Sequence, residues 1–349
     1  MTKNQFRRNP VTGQWSIIID RGYDIKALVS AIEPSSRARE GMASTRYCEG
    51  REAETPSEIF AIRENNSRKN EPGWSVRVLP NSEPFLEIYG ELNNRGVGLY
   101  DVLDGIGAHE LVIESQHTGV ELHDMDDAQI QRILFAHRSR ILDLKQDLRF
   151  RYIMVHKNYG EASTDLKGHA HSHVIATPIT PARVKAELWN TKEHFRLKQR
   201  CLLCDIIYQE EREQVRVIMA NQHFIALSPF ASRAPFSVWI MPRKHETFFE
   251  WNSQYPALAE ILKGILVKIK KVLNDPNYVM VLHTGPNMAT EQHRGYWKTL
   301  EKDYHWFFEI TPRFRAYTSF ELGSGFHVNV VSSERATRIL RTESIDQGQ

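Results

Sequence analysis

Apolar and polar residues alternate over short stretches along much of the chain, and this period of two predicts β-strands. Two longer segments instead carry apolar residues every three or four positions, which predicts amphipathic helices. The predicted strands are 15–20, 74–81, 111–114, 151–155, 168–177, 215–219, 224–227, 236–241, 278–282 and 305–310, and these helices are 124–148 and 258–272. A turn at 10–13 precedes the first strand. The mixture predicts an α+β protein.

The second half of the chain repeats the pattern of the first half. Three matches occur in the same order: Val76-Arg77-Val78 and Asn81 with Val215-Arg216-Val217 and Asn221, Tyr152–Val155 with Tyr278–Val281, and His171 with His305, each of which lies seven residues before a proline. We therefore predict an internal duplication, with modules 1–185 and 186–349 joined through a charged, helical segment at 182–200. Because Asp303 and Phe307 replace His169 and His173 in the second copy, only the first module is expected to be active.

Composition excludes several classes of protein. The 349 residues are 41% hydrophobic and 25% charged, values typical of a soluble globular protein. The net charge of +2 does not favour binding to nucleic acid or to a membrane. There is no apolar run near the roughly 18 residues of a spanning helix, and the start of the chain does not resemble a signal peptide. Three cysteines do not make a disulfide framework, so we predict a cytoplasmic protein.

The stretch 168–177 carries three histidines in strict alternation, at His169, His171 and His173. In a strand their imidazoles share one face, while Ala170 and Ser172 turn to the other. Two chemistries fit such a row. The imidazoles can hold a metal ion, or one of them can act as a nucleophile while its neighbours fix its tautomer and stabilise charge. The alternation alone does not separate these two alternatives.

A second cluster of chemically active residues opens the second half, at Cys201-Leu202-Leu203-Cys204. Such a pair is either half of a zinc site or a redox-active pair. A thioredoxin-like pair is expected to follow a strand, whereas this one follows a basic helical segment. Tetrahedral zinc needs two further ligands, and His245 and His305 lie beside predicted strands of the same half.

Several longer motifs identify a family. They are Arg8-Asn9-Pro10-Val11-Thr12-Gly13-Gln14-Trp15, Cys48-Glu49-Gly50-Arg51-Glu52, Val76-Arg77-Val78-Leu79-Pro80-Asn81, Gly107-Ala108-His109-Glu110, Lys157-Asn158-Tyr159-Gly160, the histidine strand, Pro229-Phe230-Ala231-Ser232-Arg233 and Pro242-Arg243-Lys244-His245. With them the chain resembles the galactose-1-phosphate uridylyltransferase family, a duplicated branch of the histidine-triad superfamily, over residues 6–340. The resemblance implies two histidine-triad-like modules in tandem, with antiparallel sheets and flanking helices.

The resemblance also implies a mechanism of ping-pong nucleotidyl transfer. The family's nucleophile falls on His171, whose imidazole attacks the α-phosphorus of a nucleoside diphosphate sugar. A phosphate or sugar 1-phosphate then accepts the nucleotidyl group. His169 and His173 complete the catalytic set, and Asn81, Asn158 and Lys157 fall on positions expected to bind the nucleotide. A homodimer is expected.

The family's zinc sites fall on two sets of residues in this chain. In the second module the set is complete, with Cys201, Cys204, His245 and His305. In the first module Cys48, His109 and His169 are present, but Thr45 stands where the family has another cysteine. Zinc is therefore expected in the second module, and the first set has lost a ligand.

Further departures leave three functions open. His173 replaces the family's glutamine, Leu166 in Thr164-Asp165-Leu166 replaces a hydroxyl donor, and Ser324–Asn329 resembles the branch that handles adenylyl sugars or phosphate acceptors. The first function is a hexose-1-phosphate uridylyltransferase-like enzyme that transfers UMP or AMP. The second is a nucleotide hydrolase or ADP-sugar phosphorylase, because histidine can exchange a proton and glutamine cannot. The third is a zinc-stabilised nucleotide-binding protein with little activity.

Overall fold

The computed structural model describes residues 4–30, 45–63, 66–160, 168–289 and 297–342. Its strands are β1 (Gln5–Arg8), β2 (Trp15–Ile18), β3 (Phe60–Arg63), β4 (Trp74–Pro80), β5 (Arg95–Val97), β6 (Tyr100–Val102), β7 (Ala108–Ile113), β8 (Tyr152–Tyr159), β9 (His171–Thr177), β10 (Val217–Ala220), β11 (Phe224–Leu227), β12 (Val238–Pro242), β13 (Tyr278–His283), β14 (Phe307–Pro312) and β15 (His327–Asn329). Its helices are α1 (Ile25–Ser30), α2 (Asp127–Leu144), α3 (Ala182–Lys198), α4 (Leu202–Glu213), α5 (Tyr255–Leu273), α6 (Leu300–Asp303), α7 (Ser319–Ser324) and α8 (Ser333–Thr342).

Ten of these strands form one antiparallel sheet, in the order β10-β11-β12-β14-β13-β8-β9-β7-β4-β3. The order reads as two five-stranded halves that meet at β8 and β13. At this seam Tyr159 is paired with Tyr278 and His156 with Val281. Each half has the same succession of three strands, a long helix and two strands, with α2 and α5 as the equivalent helices. The predicted α+β fold and its internal duplication are therefore confirmed.

One of the three predicted repeat matches has the wrong partner. The sheet order makes β4 the counterpart of β11, and the short edge strand β10 is the counterpart of β3. Val76-Arg77-Val78 therefore does not correspond to the segment around Val217. The matches of β8 with β13 and of β9 with β14 agree with the topology. The predicted boundary at residue 185 lies inside α3, and the two halves share a continuous sheet.

The helices α2 and α5 cover one face of the large sheet. The apolar stripe of α2 is buried, as its spacing predicts, with Ile130, Ile133, Leu134 and Ile141 in the core. Alternate residues of the strands, such as Val76, Val78 and Val174, enter the same core. The other face of the sheet carries the catalytic candidates. No helix in the described ranges has the length and apolar character needed to span a membrane.

A second sheet is built from the two ends of the chain. In it β1 pairs with β2 antiparallel, and β15 pairs with β2 parallel. The predicted turn between β1 and β2 is present, because Oδ1 of Asn9 accepts from the backbone of Val11 and Thr12 and Gly13 has a φ of +75°. This sheet rests on the second module, where Ser16 Oγ donates to the carbonyl oxygen of Ala231.

Candidate active site and metal centre

The histidine-bearing strand β9 lies inside the first module, between β7 and β8. His171 and His173 turn to the face opposite the helices, where their ring centroids are 5.2 Å apart. Ser172 turns to the helices, and its hydroxyl lies 2.7 Å from Nε2 of the buried His137 on α2. The alternation predicted for this strand is therefore present. Strand β9, which is hydrogen-bonded to β7 and to β8, holds the imidazoles of His171 and His173 side by side on one face.

A single hydrogen bond fixes the tautomer of His171. Its Nδ1 lies 2.8 Å from the backbone carbonyl oxygen of His169. Because a carbonyl oxygen can only accept, Nδ1 carries the hydrogen and Nε2 of the neutral ring keeps its lone pair. The side chain is almost completely buried, which holds the ring in one orientation. His171 thus has the tautomer that a nucleophilic imidazole needs.

His173 belongs to a cluster of imidazoles. Its Nδ1 lies 3.1 Å from Nε2 of His109, and the side-chain amide nitrogen of Asn81 lies 3.2 Å from Nδ1 of the same ring. On its other side, His156 from β8 stacks on His173, with 4.8 Å between centroids and 6° between planes. The predicted residues Asn81 and His173 are therefore brought together, with His109 between them.

These surroundings keep the cluster neutral. Burial, together with His156 and His109, lowers the pKa of His173 to about 3. Burial and His109 likewise lower the pKa of His156 to about 4. A protonated imidazole in this group would be poorly solvated and would face another imidazole. At neutral pH both rings are uncharged hydrogen-bonding groups.

The motif Lys157-Asn158 is divided between the two faces of the sheet. Asn158 shares the face of His156 and is paired with Val279 across the seam. Lys157 turns the other way and is fully buried, with Nζ 2.7 Å from Glu114 Oε2 and 3.1 Å from Glu121 Oε2. A lysine held between two carboxylates behind the strand does not reach a nucleotide on the catalytic face. Its predicted role as a direct nucleotide contact is therefore not supported.

The second module gathers all four residues of the predicted metal set. The ligand atoms of Cys201, Cys204, His245 and His305 lie within 4.8 Å of one another. Sγ of Cys204 is 3.3 Å from Nδ1 of His245 and 3.5 Å from Nδ1 of His305. The Nε2 of His245 donates to the carbonyl oxygen of Glu301 at 2.9 Å, which leaves its Nδ1 free to bind a cation.

The chemistry of this donor set fits a metal ion. The hydrogen bond between Cys201 and Cys204, with burial, raises the pKa of the Cys201 thiol, and the same bond lowers the pKa of Cys204. Two sulfur and two imidazole ligands are the usual set of a closed tetrahedral zinc site. Cys201 is the N-cap residue of α4, and Cys204 lies in the first turn of that helix. These four residues could hold a metal ion.

No protein-family model matches the chain. An ADP-glucose phosphorylase of Arabidopsis thaliana is 32% identical over 349 residues, covering 98% of this chain and 93% of that protein. A galactose-1-phosphate uridylyltransferase of Thermotoga maritima is 25% identical over 249 residues, covering 69% and 75%. The chain belongs to the galactose-1-phosphate uridylyltransferase family. It is an atypical member and an enzyme of the nucleotidyltransferase type.

A solved structure extends the family likeness to the whole fold. The crystal structure of an ADP-glucose phosphorylase from Arabidopsis thaliana with bound ADP-glucose superposes with a TM-score of 0.79 at 29% identity. The match covers 99% of this chain and 100% of that one. The two-module architecture is thus shared from end to end.

The first module departs from the family's metal chemistry. Nε2 of His169 donates to the carbonyl oxygen of Ser115 at 2.6 Å, and Nδ1 accepts from the Thr45 hydroxyl at 3.0 Å. Cys48 Sγ is 4.0 Å from the same Nδ1, whereas His109 is bound to His173 and Asn81. Among the described residues, Cys48, His109 and His169 do not form a compact ligand group. These residues do not fit the predicted zinc site.

Within the residues that the structure describes, the second module lacks the imidazole cluster of the first module. Phe307 occupies the position of His173 and stacks on His283, with centroids 4.3 Å apart and planes at 4°. This pair repeats the geometry of His173 on His156. The same face is filled by charge pairs, in which Glu309 binds Arg183 at 2.6 Å and Arg233 at 2.9 Å. The catalytic candidates are therefore those of the first module.

The segment Ser324–Asn329, which resembles the branch that handles adenylyl sugars or phosphate acceptors, runs from the last residue of α7 to the end of β15. The carboxylate of Glu321 accepts from Arg315 and from the backbone of Thr318 and Val328. It lines a cavity of about 670 Å³ together with Arg233 and Tyr317. The predicted departure at Thr164-Asp165-Leu166 lies outside the described residues.

His156 is the functional candidate that the sequence interpretation missed. The predicted strand ended at Val155, one residue before it, whereas β8 continues to Tyr159. The signal was present, because Met154, His156 and Asn158 alternate on one face of that strand.

Proposed function

We propose that the protein transfers an adenylyl group between an ADP-sugar and phosphate through a covalent nucleotidyl-His171 intermediate. The observation that carries this proposal is the tautomer of His171, whose Nδ1 is bound to the His169 carbonyl so that Nε2 is available for attack. The choice of an ADP-sugar and phosphate is supported by the likeness to an ADP-glucose phosphorylase over 98% of the chain.

In the first half-reaction, Nε2 of His171 attacks the α-phosphorus of the ADP-sugar. The nitrogen–phosphorus bond forms as the bond to the bridging oxygen breaks, and the sugar 1-phosphate leaves. The positive charge on the imidazole is stabilised by the His169 carbonyl, which accepts the Nδ1 hydrogen. No proton needs to be removed from His171, because the attacking nitrogen already has a lone pair.

In the second half-reaction, an oxygen of inorganic phosphate attacks the same phosphorus atom. The nitrogen–phosphorus bond breaks, ADP forms, and His171 recovers its neutral state. We propose that His173 binds the nonbridging oxygens of the α-phosphate and that Asn158 binds the nucleotide. Both side chains lie on the same face of the sheet as His171. Donors placed around such oxygens stabilise the charge that builds up in the transition state.

We assign zinc to the Cys201, Cys204, His245 and His305 site, where these residues would hold the ion and the ion would join α4 to the strands of the second module.

A second candidate is the transfer of UMP to a hexose 1-phosphate. It is favoured by the likeness to a galactose-1-phosphate uridylyltransferase, which covers 69% of this chain. The chemistry at His171 is the same in both cases. Only the base and the acceptor differ.

A product screen separates these functions. Purified protein is incubated with ADP-glucose or UDP-glucose, in the presence of phosphate, of isotopically labelled glucose 1-phosphate whose label would appear in the nucleotide sugar, or of water alone. We expect ADP and glucose 1-phosphate from ADP-glucose with phosphate. UMP transfer that requires a sugar phosphate would favour the second candidate, release of free nucleoside monophosphate in water would indicate a hydrolase, and the absence of all turnover would indicate a nucleotide-binding protein.

A further inference from the structure

The imidazole of His109 lies between two polar side chains of the catalytic face. Its Nε2 is 3.1 Å from Nδ1 of His173. The side-chain amide nitrogen of Asn81 is 3.2 Å from Nδ1 and 3.1 Å from Nε2 of the same ring. Phe85 packs on this ring, with centroids 4.6 Å apart, and the backbone nitrogen of Asn81 donates to the His109 carbonyl oxygen at 2.9 Å. His109 is therefore held between Asn81 and His173.

A backbone hydrogen bond fixes the orientation of the Asn81 amide. The backbone nitrogen of Glu83 donates to Oδ1 of Asn81 at 3.1 Å. Because this oxygen is an acceptor, the other end of the amide, its nitrogen, faces His109. An amide nitrogen can only donate, so at least one ring nitrogen of His109 lacks a hydrogen. The ring of His109 is therefore neutral and carries one hydrogen.

The same contacts decide which nitrogen of His109 carries this hydrogen. If Nδ1 carried it, Nε2 would have to accept from both Asn81 and His173 with a single lone pair. The Nδ1 hydrogen would also be directed at the amide nitrogen 3.2 Å away, which is itself a donor. With the hydrogen on Nε2, Nδ1 accepts from Asn81 and Nε2 donates to Nδ1 of His173. Only this arrangement gives Asn81 and His173 separate nitrogens of His109.

This arrangement sets the tautomer of His173. Burial and the neighbouring imidazoles, which lower its pKa to about 3, keep the ring neutral. Since its Nδ1 accepts from His109, its one hydrogen lies on Nε2. In the part of the chain that the structure describes, no group bonds to this Nε2. His173 therefore presents an N–H donor beside His171, whose ring centroid is 5.2 Å away.

We propose that His109 is a positioning residue, which holds His173 in the tautomer whose Nε2 hydrogen is donated to a nonbridging oxygen of the α-phosphate. The phosphate contact rests on the proposed function, whereas the tautomer does not. A donor at this point stabilises the charge of the transition state, and the other tautomer would present a lone pair instead. Glutamine needs no such partner, because its amide always carries hydrogens. With His109 in place, a histidine can supply the same donor.

His109 can take this role because the first module has lost a metal ligand. A zinc-bound His109 would give its lone pair to the cation and could not accept from Asn81. Thr45 stands where the family has a cysteine, and its hydroxyl lies 3.0 Å from Nδ1 of His169. The two departures at Thr45 and His173 are therefore connected through His109.

Long-range proton–nitrogen NMR of the protein without substrate, labelled with nitrogen-15 at histidine, shows which ring nitrogen carries the hydrogen. We expect His173 to carry it on Nε2 at neutral pH, its signals being identified by their loss in His173→Gln. His109→Leu should give a mixture of both tautomers. His109→Gln should keep the native tautomer, because its oxygen accepts from Asn81 and its nitrogen donates to His173. His117→Leu, at an exposed site, should change nothing.

Two NMR results would overturn the proposal. One is a native His173 with its hydrogen on Nδ1, and the other is an unchanged His173 tautomer in His109→Leu. His109→Met, which also lacks a ring nitrogen, replaces His109→Leu if that variant does not fold. Native protein without any turnover would contradict the proposed function and would leave the tautomer measurement valid.

Kinetics distinguish positioning from a merely structural role. His109→Leu should lower kcat for phosphorolysis of ADP-glucose about tenfold or more with little change in KM, because the donor acts in the transition state. His109→Gln should restore most of kcat. Combined with His173→Gln, His109→Leu should cause no further loss, because the glutamine amide has no tautomer to fix. Losses that add in the double variant, or a lower zinc content in His109→Leu, would show that His109 acts independently of His173.

Discussion

The ammonium group of Lys157 lies 3.0 Å from the backbone carbonyl oxygen of His171. The same nitrogen binds Glu114 and Glu121, so a buried charge cluster lies directly behind the catalytic strand. Lys157 thus acts on His171 from the far side of the sheet. We infer that it positions the backbone of β9 and does not contact the substrate.

Replacement of Lys157 tests this assignment. In Lys157→Met the carboxylates of Glu114 and Glu121 lose their buried partner, so the free energy of unfolding should fall by about 3–5 kcal/mol. Urea denaturation measures the loss, and Lys185→Met, which alters an exposed lysine of α3, should be neutral. A Lys157→Met protein of native stability whose KM for ADP-glucose is strongly raised would instead show that Lys157 binds the nucleotide.

The assignment of His171 as nucleophile predicts a covalent intermediate. Incubation with ADP-glucose labelled at the α-phosphate, without an acceptor, should label the chain. His171→Ala should abolish labelling and lower turnover at least about a thousandfold, because no other group replaces the nucleophile. His117→Ala removes an exposed histidine and should label normally. Full labelling of the His171→Ala protein would exclude this residue as the nucleophile.

The low pKa of His173 changes the interpretation of that residue. From the sequence, its ability to exchange a proton suggested general acid–base catalysis. A ring whose pKa is lowered to about 3 is a weak base at neutral pH and acts as a neutral hydrogen-bonding group. Glutamine is also a neutral hydrogen-bonding group. His173→Gln should therefore retain covalent labelling and lose less than about tenfold in phosphorolysis, far less than the 10²–10⁴-fold of general acid–base catalysis.

The pH profile provides a second measurement on His173→Gln. If His173 transfers a proton during turnover, the substitution should abolish an ionisation in the profile and reduce phosphorolysis by orders of magnitude. The neutral role predicts an unchanged profile. His173→Ala, which removes the hydrogen bond to His109, should be more damaging than His173→Gln.

The metal assignment predicts about one zinc ion per chain, bound in the second module. Elemental analysis of Cys201→Ser with Cys204→Ser should find no zinc, and the thermal stability of that variant should fall because metal binding contributes to folding. Cys48→Ser is the matched control. Its zinc content should equal that of the native protein, since Cys48 and His169 are not joined by His109 in a ligand group. Two zinc ions per native chain, one of them lost in Cys48→Ser, would contradict this.

The period-two pattern was sufficient to predict most strands and which side chains share a face. It correctly placed the side chains of His171 and Ser172 on opposite faces of β9. The spacing of apolar residues in α2 likewise predicted which of its side chains are buried. The same rule would have placed Lys157 on the face opposite Asn158. The resemblance to the family instead places Lys157 on the nucleotide, so at this residue the expectation from the motif and the one from local alternation disagree.

Other features depend on contacts between distant segments, which local pattern does not contain. The pairing of β8 with β13 joins residues more than a hundred positions apart, and alternation does not specify a partner strand. Likewise, the loss of a cysteine at Thr45 was visible in the sequence. The sequence does not show that the Thr45 hydroxyl binds Nδ1 of His169 or that His109 turns to His173. Both contacts are visible only in the three-dimensional arrangement.

His137 predicts how stability depends on pH. It is fully buried behind β9, and burial lowers its pKa to about 4 from an ordinary value of 6.5. The unfolded chain therefore takes up a proton below pH 6.5 that the folded protein does not accept. Stability is highest above pH 6.5 and falls as the pH decreases towards 4. Between pH 7.5 and pH 5 this residue alone should reduce the free energy of unfolding by about 2 kcal/mol.

The contribution of His137 can be isolated with one substitution. His137→Gln cannot titrate, and its amide can still bond to the Ser172 hydroxyl. Urea denaturation at the two pH values should show a dependence smaller than the native one by about 2 kcal/mol. His156 and His173, whose pKa values are also lowered, contribute to the dependence that remains. His117→Gln, at an exposed site, should leave it unchanged. A His137→Gln protein with the full native dependence would show that His137 is protonated equally in both states.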